Sequence, residues 1–332
     1  DEYTEKIKSW QIDFYPIELE NKGTNPINDT KFYRKLYRLY RQIAPDVVLH
    51  FTIKPNIYGT LACRRLKIPC INNVSGLGTT FIHKKISSKI AHFLYRFSFR
   101  FAYKVFFQNK EDLKLFLKKK LVKEEKTGLL AGSGIDLQKF QPQHILHQHF
   151  TFLMIARLIY DKGIREYVEA ARIVKQQFPN VVFQLIGGFE KNTKNPLNIS
   201  LEEVNSWKNT IEYLGTKEDV RPFIALADVV VLPSYREGTP RSLLEAAAMG
   251  KPLLATDVAG CREVVENGKN GFLCKVQNPE SLAKKMIDFL KLNPDILQEM
   301  GKYSRKKVEK EFDENLVFRA YQEAIKNVLK GI

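Results

Sequence analysis

The sequence predicts an α/β protein made of two similar domains, each a parallel sheet with helices on both faces. Short apolar runs alternate with segments of helical spacing along the chain, as in PDVVLHFTI followed by NIYGTLACRRL. The alternation breaks once, at QPQHILHQ (141–148), and then restarts. A length of 332 residues also favours two domains over one.

The first domain is predicted over residues 1–141 and the second over 142–312, with a last helix over 313–332 that packs back on the first domain. The strands of the first domain are predicted at QIDFYPIEL, PDVVLHFTI, IPCINNV, KVFFQN and KTGLLAGSG. The opening segment DEYTEKIKSW is typical of the helix that comes after the first strand and Gly-rich turn of such a domain. We therefore expect the first domain to lack that strand and its Gly-rich loop.

In the second domain apolar runs again alternate with segments of helical spacing, such as IREYVEAARIVKQQF after FTFLMIA and PRSLLEAAAMG after DVVVLPS. The strands are predicted at FTFLMIA, NVVFQLIGG, TIEYLG, DVVVLPS and KPLLATD. Buried parallel strands have this continuous apolar character because both of their faces are covered by helices. The second domain is therefore predicted to be a doubly wound sheet.

The chain is strongly basic, with a formal net charge of +16. Residues 83–126 hold 13 Lys and Arg against 4 acids, so more than half of the excess lies there. Such a charge favours a polyanionic partner: nucleic acid, an anionic membrane surface or a phosphorylated substrate. The four cysteines form no C-x-x-C pair, and no signal peptide or membrane-spanning apolar run is visible. Reduced thiols in the cytosol are expected.

The stretch SYREGTPRSLLEAAAMG places two carboxylates around a predicted helix start. Threonine is a favoured N-cap and proline a favoured first residue, so the helix is predicted to begin at Pro240, after Thr239. Its first amides would suit a phosphate, and we expect Glu245 to accept hydrogen bonds from a ribose and Glu237 from a sugar. The alternative is that both carboxylates are simply solvated.

The loop IARLIYDKGI offers two cations, Arg157 and Lys162, directly after the strand FTFLMIA. The sequence has no Asp-x-Asp pair of the kind that binds a metal–nucleotide complex. A metal-free diphosphate site needs fixed cations in place of the ion, and these two residues fit that need. The alternative, an ordinary solvated loop, stays open at this point.

Together these motifs resemble the retaining family-4 glycosyltransferases of the GT-B fold, in which two Rossmann-like domains face a cleft. The resemblance rests on Arg157-Leu158, Lys162-Gly163, Ile186-Gly187-Gly188, Leu214-Gly215, Pro233-Ser234, the block from Glu237 to Ala246, and the runs Gly260–Glu266 and Asn270–Phe272.

The resemblance implies a role for each matched residue. The catalytic residues are Arg157, Lys162 and Glu237, and the donor-binding residues are Glu245, Arg241, Ser242, Gly238, Thr239, Leu214 and Gly187. It also implies transfer with retention by front-face attack, without a dedicated general base and without a metal or other cofactor. The donor is expected to be a UDP-sugar.

The first half resembles the group of these transferases that extends glycans on a polyprenyl-diphosphate carrier, including those acting on bacillosaminyl-diphospho-undecaprenol. The similar segments are PDVVLHFTIKPNIYGTLA, INNVSGLGTTFI and GSGIDLQKF. This implies UDP-GalNAc or UDP-GlcNAc as favoured donors and a lipid-linked saccharide acceptor, with acceptor contacts at Lys54, Ser75, Gly76 and Lys84. Many members carry a histidine where this chain has Ser75, so that histidine's role does not transfer.

The segment HKKISSKIAHFLYRFSFRFAYK mixes cations and aromatic residues at helical spacing. It predicts an amphipathic surface on anionic lipid at the inner face of a bacterial plasma membrane. The alternative is a helix whose aromatics are core and whose lysines are solvated. Two other functions stay open: a nucleotide-sugar epimerase of the same fold and, less favoured because no RNA-stacking pattern is present, a nucleic-acid-binding protein.

Overall fold

The chain folds into two α/β lobes, and the computed structural model describes residues 4–18, 25–77, 86–143, 145, 147–190 and 198–331. The first lobe has a four-stranded sheet of order β1-β2-β3-β4, with every pair parallel. Its elements are α1 Thr4–Lys8, α2 Pro26–Ile43, β1 Val48–Phe51, α3 Thr60–Leu66, β2 Cys70–Val74, α4 Ile86–Ser98, β3 Lys104–Phe107, α5 Lys110–Lys118 and β4 Thr127–Leu129.

The second lobe has a six-stranded parallel sheet of order β10-β9-β8-β5-β6-β7. Its elements are β5 Thr151–Ile155, α6 Ile164–Lys175, β6 Val182–Ile186, α7 Leu201–Asn205, β7 Glu212–Tyr213, α8 Arg221–Leu226, β8 Val229–Leu232, α9 Arg241–Ala248, β9 Leu253–Thr256, α10 Cys261–Val264, β10 Gly271–Cys274, α11 Pro279–Leu290 and α12 Pro294–Glu311. The last helix, α13 Glu314–Lys330, returns to the first lobe. The chain adds β6 and then β7 on one side of β5, and afterwards adds β8, β9 and β10 on the other side. This is the Rossmann order, and it confirms the predicted fold class.

The central strands are apolar throughout because helices cover both faces of the sheet. In β8 all four residues are buried. Val229 and Val231 belong to the core cluster that includes residues of α6 and α11, whereas Val230 and Leu232 pack with residues of α9. Alternate residues of a strand point to opposite faces, so successive residues of a run such as VVVL pack into the cores on the two sides of the sheet.

The predicted first strand, QIDFYPIEL, is wrong for the residues that the structure describes. Residues 12–18 form no strand, and within the described chain β1 pairs with β2 alone. The segment is apolar and alternating, but Pro16 has no amide proton to give to a neighbouring strand. No described helix has the length and apolarity that crossing a bilayer requires.

Helix α13 packs across the back of the first sheet. Its Val317 and Val328 share a core cluster with Ile71 and Phe106 of strands β2 and β3. The chain passes between the lobes twice, and the two passages are bonded to each other through Ile135 N–H, which donates to the Phe312 carbonyl at 2.8 Å. The two segments that connect the lobes are therefore hydrogen-bonded to each other through their backbones, in addition to the side-chain contacts between the lobes.

The start of α5 carries most of the charged contacts between the lobes. Asp112 has a fully buried side chain and pairs with Arg236 of the second lobe. The neighbouring Glu111 pairs with Arg262 at 2.5 Å, but both of these side chains are 40–50% exposed. The two pairs start from adjacent residues of α5 and differ in burial, and the exposed Arg262 also pairs with Asp257 at 2.6 Å.

We expect Arg236→Met to lower the free energy of unfolding by about 3–5 kcal/mol, because it leaves the buried carboxylate of Asp112 without its cation. The exposed control, Arg262→Met, should cost less than about 1 kcal/mol. The double variant Asp112→Asn/Arg236→Met removes both charges and should recover part of the loss. Thermal unfolding checks all three, and equal costs at Arg236 and Arg262 would contradict the assignment.

Candidate functional site

The candidate site lies where the strand order of the second sheet reverses, between β5 and β8. The loop after β5 carries Arg157 and Lys162, and the loop after β8 carries Glu237. In open α/β sheets the carboxyl ends of the strands on the two sides of such a reversal form the crevice that binds ligands. The topology therefore points to the same two loops as the motifs.

Lys162 and Glu237 meet across this reversal. The Lys162 Nζ lies 2.5 Å from the Glu237 Oε1, and their side chains are only 20% and 12% exposed. The Ser234 hydroxyl also donates to that carboxylate oxygen, at 2.6 Å. The site thus contains one cation and one carboxylate held in fixed positions and largely shielded from water.

A glycine lets the two loops approach each other. Gly163 has a φ of +74°, and a Cβ there would lie 2.0 Å from the Pro233 carbonyl oxygen. Only glycine satisfies both the left-handed backbone and the close contact. Gly163 directly follows Lys162 and precedes α6, so this approach fixes where the lysine stands relative to the loop after β8.

Helix α9 begins at Arg241 with Pro240 as its N-cap residue, one residue later than the predicted start. The hydroxyl of Thr239 does not cap the helix, because it donates to the Gln108 carbonyl of the first lobe at 2.7 Å. The first i to i−4 bond of the helix runs from Leu244 N–H to the Pro240 carbonyl. The amides of Arg241 and Ser242 come before it, at the positive end of the helix dipole.

Glu245 lies one turn further into α9 and is mostly buried. Its side chain is 14% exposed and accepts a hydrogen bond from Arg241 Nε at 3.0 Å. Burial raises the pKa of Glu245 above its ordinary value, and the Arg241 guanidinium opposes that rise. Holding an ionised carboxylate in this environment costs stability, which is typical of a residue kept for binding.

The first lobe closes over the loop after β8. A Cβ on Gly238 would lie 2.2 Å from the Ser75 carbonyl oxygen and 3.3 Å from Gly76 Cα. Asn109 Nδ2 donates to the Gly238 carbonyl at 3.2 Å, and a Cβ on Gly132 would meet the Thr239 side chain at 2.8 Å. The carboxyl ends of β2, β3 and β4 therefore converge on Gly238 and Thr239.

Three further predicted residues follow successive strands of the second sheet: Arg157 follows β5, Gly187 follows β6 and Leu214 follows β7. A Cβ on Gly187 would lie 1.8 Å from the Ala156 carbonyl oxygen, so this turn packs tightly against the loop that carries Arg157. Leu214 donates its amide to the Leu185 carbonyl in the adjacent strand. Arg157 is 63% exposed and pairs with Glu190 at 3.2 Å. Within the described chain Arg157 forms no hydrogen bond or ion pair with Lys162 or Glu237.

The predicted acceptor residues do not all lie at the cleft between the lobes. Ser75 and Gly76 lie at the cleft, as described above. The Lys54 Nζ is 2.9 Å from Asp29 Oδ1 in the first lobe, with a side chain 13% exposed, so its charge is already paired. Lys84 lies outside the described residues. Among the described residues no group of three or more His, Cys, Asp or Glu could hold a metal ion.

Sequence reasoning missed three residues of this region: Asn109, Asp112 and Arg236. Asn109 caps α5 by accepting the Asp112 N–H at 2.8 Å, and Asp112 then pairs with Arg236. The spacing Asn-x-x-Asp before an apolar run marks a helix start. It gives no sign that the aspartate reaches the other lobe, because that contact joins residues far apart in sequence.

Comparisons with known proteins agree with this architecture. The family model described as glycosyl transferases group 1 matches residues 136–307, just over half of the chain, and glycosyl transferase 4-like matches residues 3–109. Anabaena HepE in complex with UDP-glucose has a TM-score of 0.79 at 19% identity, covering 100% of this chain and 90% of its own. Sucrose-phosphate synthase from Thermosynechococcus elongatus also scores 0.79, at 18% identity, covering 97% and 86%.

Two relatives of known activity are similar over most of their length. The N,N'-diacetylbacillosaminyl-diphospho-undecaprenol alpha-1,3-N-acetylgalactosaminyltransferase of Campylobacter jejuni is 30% identical, covering 100% of this chain and 90% of the relative. The UDP-Gal:alpha-D-GlcNAc-diphosphoundecaprenol alpha-1,3-galactosyltransferase of Escherichia coli is 27% identical, covering 85% and 75%. They confirm the resemblance to transferases of lipid-linked glycans. The chain therefore belongs to the group 1 glycosyl transferases and has their two-domain GT-B fold.

Proposed function

We propose that the protein transfers a hexose or N-acetylhexosamine from a UDP-sugar to an undecaprenyl-diphosphate-linked saccharide, with retention. The observation that carries this proposal is the Lys162–Glu237 contact at the reversal of the second sheet, beside the start of α9. The names of the Campylobacter and Escherichia relatives support the lipid-linked acceptor, and the Escherichia name supports a UDP-sugar donor. HepE, which shares the fold, was solved with UDP-glucose.

The donor diphosphate would lie at the start of α9. The amides of Arg241 and Ser242 would donate to its oxygens, and Lys162 on the neighbouring loop would supply a positive charge. Charge grows on the diphosphate as the bond to the sugar breaks, so groups already fixed around it stabilise the transition state more than the ground state. Arg157 would add a second cation by exchanging Glu190 for the diphosphate.

The two carboxylates would hold the two sugars of the donor. Glu245 accepts hydrogen bonds from the ribose hydroxyls, and Glu237 accepts them from the transferred sugar. Lys162 and Ser234 both contact Glu237, which fixes the direction of its carboxylate. No residue in this arrangement needs to act as a dedicated base, because in front-face attack the donor phosphate takes the acceptor's proton. Transfer then proceeds without a metal ion.

The acceptor would enter from the first lobe, past Ser75 and Gly76. A lipid-linked acceptor places the enzyme on the inner face of the plasma membrane, and the exposed apolar residues Ile90, Phe93 and Phe97 of α4 support membrane contact. UDP-GalNAc and UDP-GlcNAc are the favoured donors. The product would be an intermediate of a surface polysaccharide or a glycoprotein glycan.

A panel of UDP-sugars incubated with liposomes that contain an undecaprenyl-diphosphate-linked saccharide tests the reaction. We expect one donor to give an extended lipid-linked product whose new linkage is α, both with and without a chelator. Conversion of the UDP-sugar to an isomer without transfer would instead indicate an epimerase. An inverted linkage would contradict retention while leaving the transferase assignment in place.

Replacing Glu245 by glutamine should weaken UDP binding by about 10- to 100-fold, because hydrogen bonds to a charged acceptor contribute about 1.5–3 kcal/mol. The folded-state pKa of Glu245 is raised, so the folded protein disfavours its ionised form at neutral pH. The variant should therefore unfold at the same temperature as the parent or higher. Calorimetric titration and thermal unfolding check both effects.

Glu169→Gln is the control, since Glu169 is an exposed partner of Arg172 on α6. It should leave UDP binding unchanged. If Glu245→Gln binds UDP as tightly as the parent, the ribose assignment is wrong.

Replacing Arg157 by methionine should lower kcat by about 100-fold or more, because it removes a cation from the departing diphosphate. The side chain is 63% exposed, so unfolding should be nearly unaffected. Arg165→Met is the matched control, because this arginine belongs to the following helix and pairs with Glu203 instead. Steady-state transfer assays check both variants, and equal rates for the two would remove Arg157 from the mechanism.

A further inference from the structure

A basic cavity of about 600 Å³ lies at the end of α4 in the first lobe. Its floor is apolar and buried, formed by Phe99, Leu121 and Val122. The charged residues that line it are Arg96, Arg100, Lys120, Lys123 and Lys126, with the single acid Glu124. A concave site with this balance of charge attracts anions.

The cavity is separate from the cleft between the lobes. Arg100 comes before strand β3, and Lys123 and Lys126 come before β4, whereas the cleft residues Gln108 and Gly132 follow those strands. Because the strands are parallel, the cavity residues lie at the amino ends of the strands and the cleft residues at their carboxyl ends. Strands of this length separate them by about 10 Å.

Most of the cations are available to a ligand. Lys126 is committed to the structure, since its Nζ donates to the carbonyls of Arg100 and Ala102 at 2.7 Å. Lys123 makes only a 3.4 Å pair with Glu125, and both of these side chains are more than two-thirds exposed. In the described parts of the chain no acid forms an ion pair with Arg96, Arg100 or Lys120. Like charges on one concave surface repel each other, and the attraction of an anion bound between them offsets that repulsion.

Apolar residues continue from the cavity along α4. Ile90, Phe93 and Phe97 are 46%, 68% and 43% exposed. Their spacing of three and four residues places them on one face of the helix. Helical geometry places Arg96 along one side of that row, and Arg100 follows two residues after the end of α4. Exposed aromatics beside cations are what a helix presents when it lies at the boundary between lipid headgroups and acyl chains.

We propose that this cavity binds the phosphate headgroup of an anionic membrane lipid while the apolar row of α4 enters the acyl layer. The inference rests on the membrane association included in the proposed function, and it adds a second anion site away from the donor cleft. A lipid is the occupant that accounts for both features, because a soluble phosphate would leave the apolar row exposed.

Vesicle co-sedimentation in about 100 mM salt tests the proposal, with phosphatidylcholine vesicles compared with vesicles containing phosphatidylglycerol. The parent chain should bind the anionic vesicles, and Lys120→Gln/Lys123→Gln should bind them at least tenfold more weakly, since each basic residue near such a surface contributes about 1 kcal/mol. The matched control Lys284→Gln/Lys306→Gln removes the same charge from exposed positions of the second lobe. Screening over about 10 Å should limit its effect to less than twofold.

Equal losses in the two variants would overturn the site, because overall charge would then account for binding.

A calorimetric titration with pyrophosphate in the presence of saturating UDP tests the soluble alternative. Pyrophosphate binding that the Lys120/Lys123 variant loses, with no preference for anionic vesicles, would overturn the lipid assignment. UDP affinity measured on the same samples separates the two proposals, since a chain that binds anionic vesicles but not UDP contradicts only the proposed transfer reaction.

Discussion

The geometry of the cleft depends on the buried ion pair between Arg236 and Asp112. Asp112 is fixed by the helix start that Asn109 caps, and Arg236 directly precedes Glu237 in the loop after β8. Moving Arg236 away while Asp112 stays buried would leave an uncompensated carboxylate in a low-dielectric environment, at a cost of about 3–5 kcal/mol. The pair therefore ties the position of Glu237 to the first lobe, although Glu237 belongs to the second.

Close backbone contact reinforces this constraint. Gly238 lies under the Ser75 carbonyl, and a Cβ on Gly260 would lie 2.2 Å from the Gly238 oxygen. Side chains at either position would push the lobes or loops apart. Glycines in this block thus give a narrow cleft whose walls are largely backbone. Such a cleft offers amide and carbonyl groups to a ligand at little cost in side-chain entropy.

The sequence was sufficient to predict the two α/β lobes and the loops that form the crevice, because buried parallel strands and helix starts leave local patterns. Lys162 and Glu237 could be placed on neighbouring loops for the same reason. The role of Asp112 could not be predicted, since its partner is more than a hundred residues away in sequence. Thr239 shows the limit of local rules. It has the sequence signature of an N-cap, but its hydroxyl contacts Gln108 of the other lobe, and the helix starts one residue later.

In the two proposals the excess of positive charge serves two kinds of anion recognition. Around Glu237 a lysine 20% exposed and the end of a helix act at short range behind protein walls, where dissolved ions screen them weakly. At the end of α4 the cations surround an open cavity, most of them are exposed to solvent, and their attraction falls steeply with ionic strength. Under the two proposals the anion sites lie apart, so a membrane contact at the end of α4 would form and break without disturbing the groups that hold the donor.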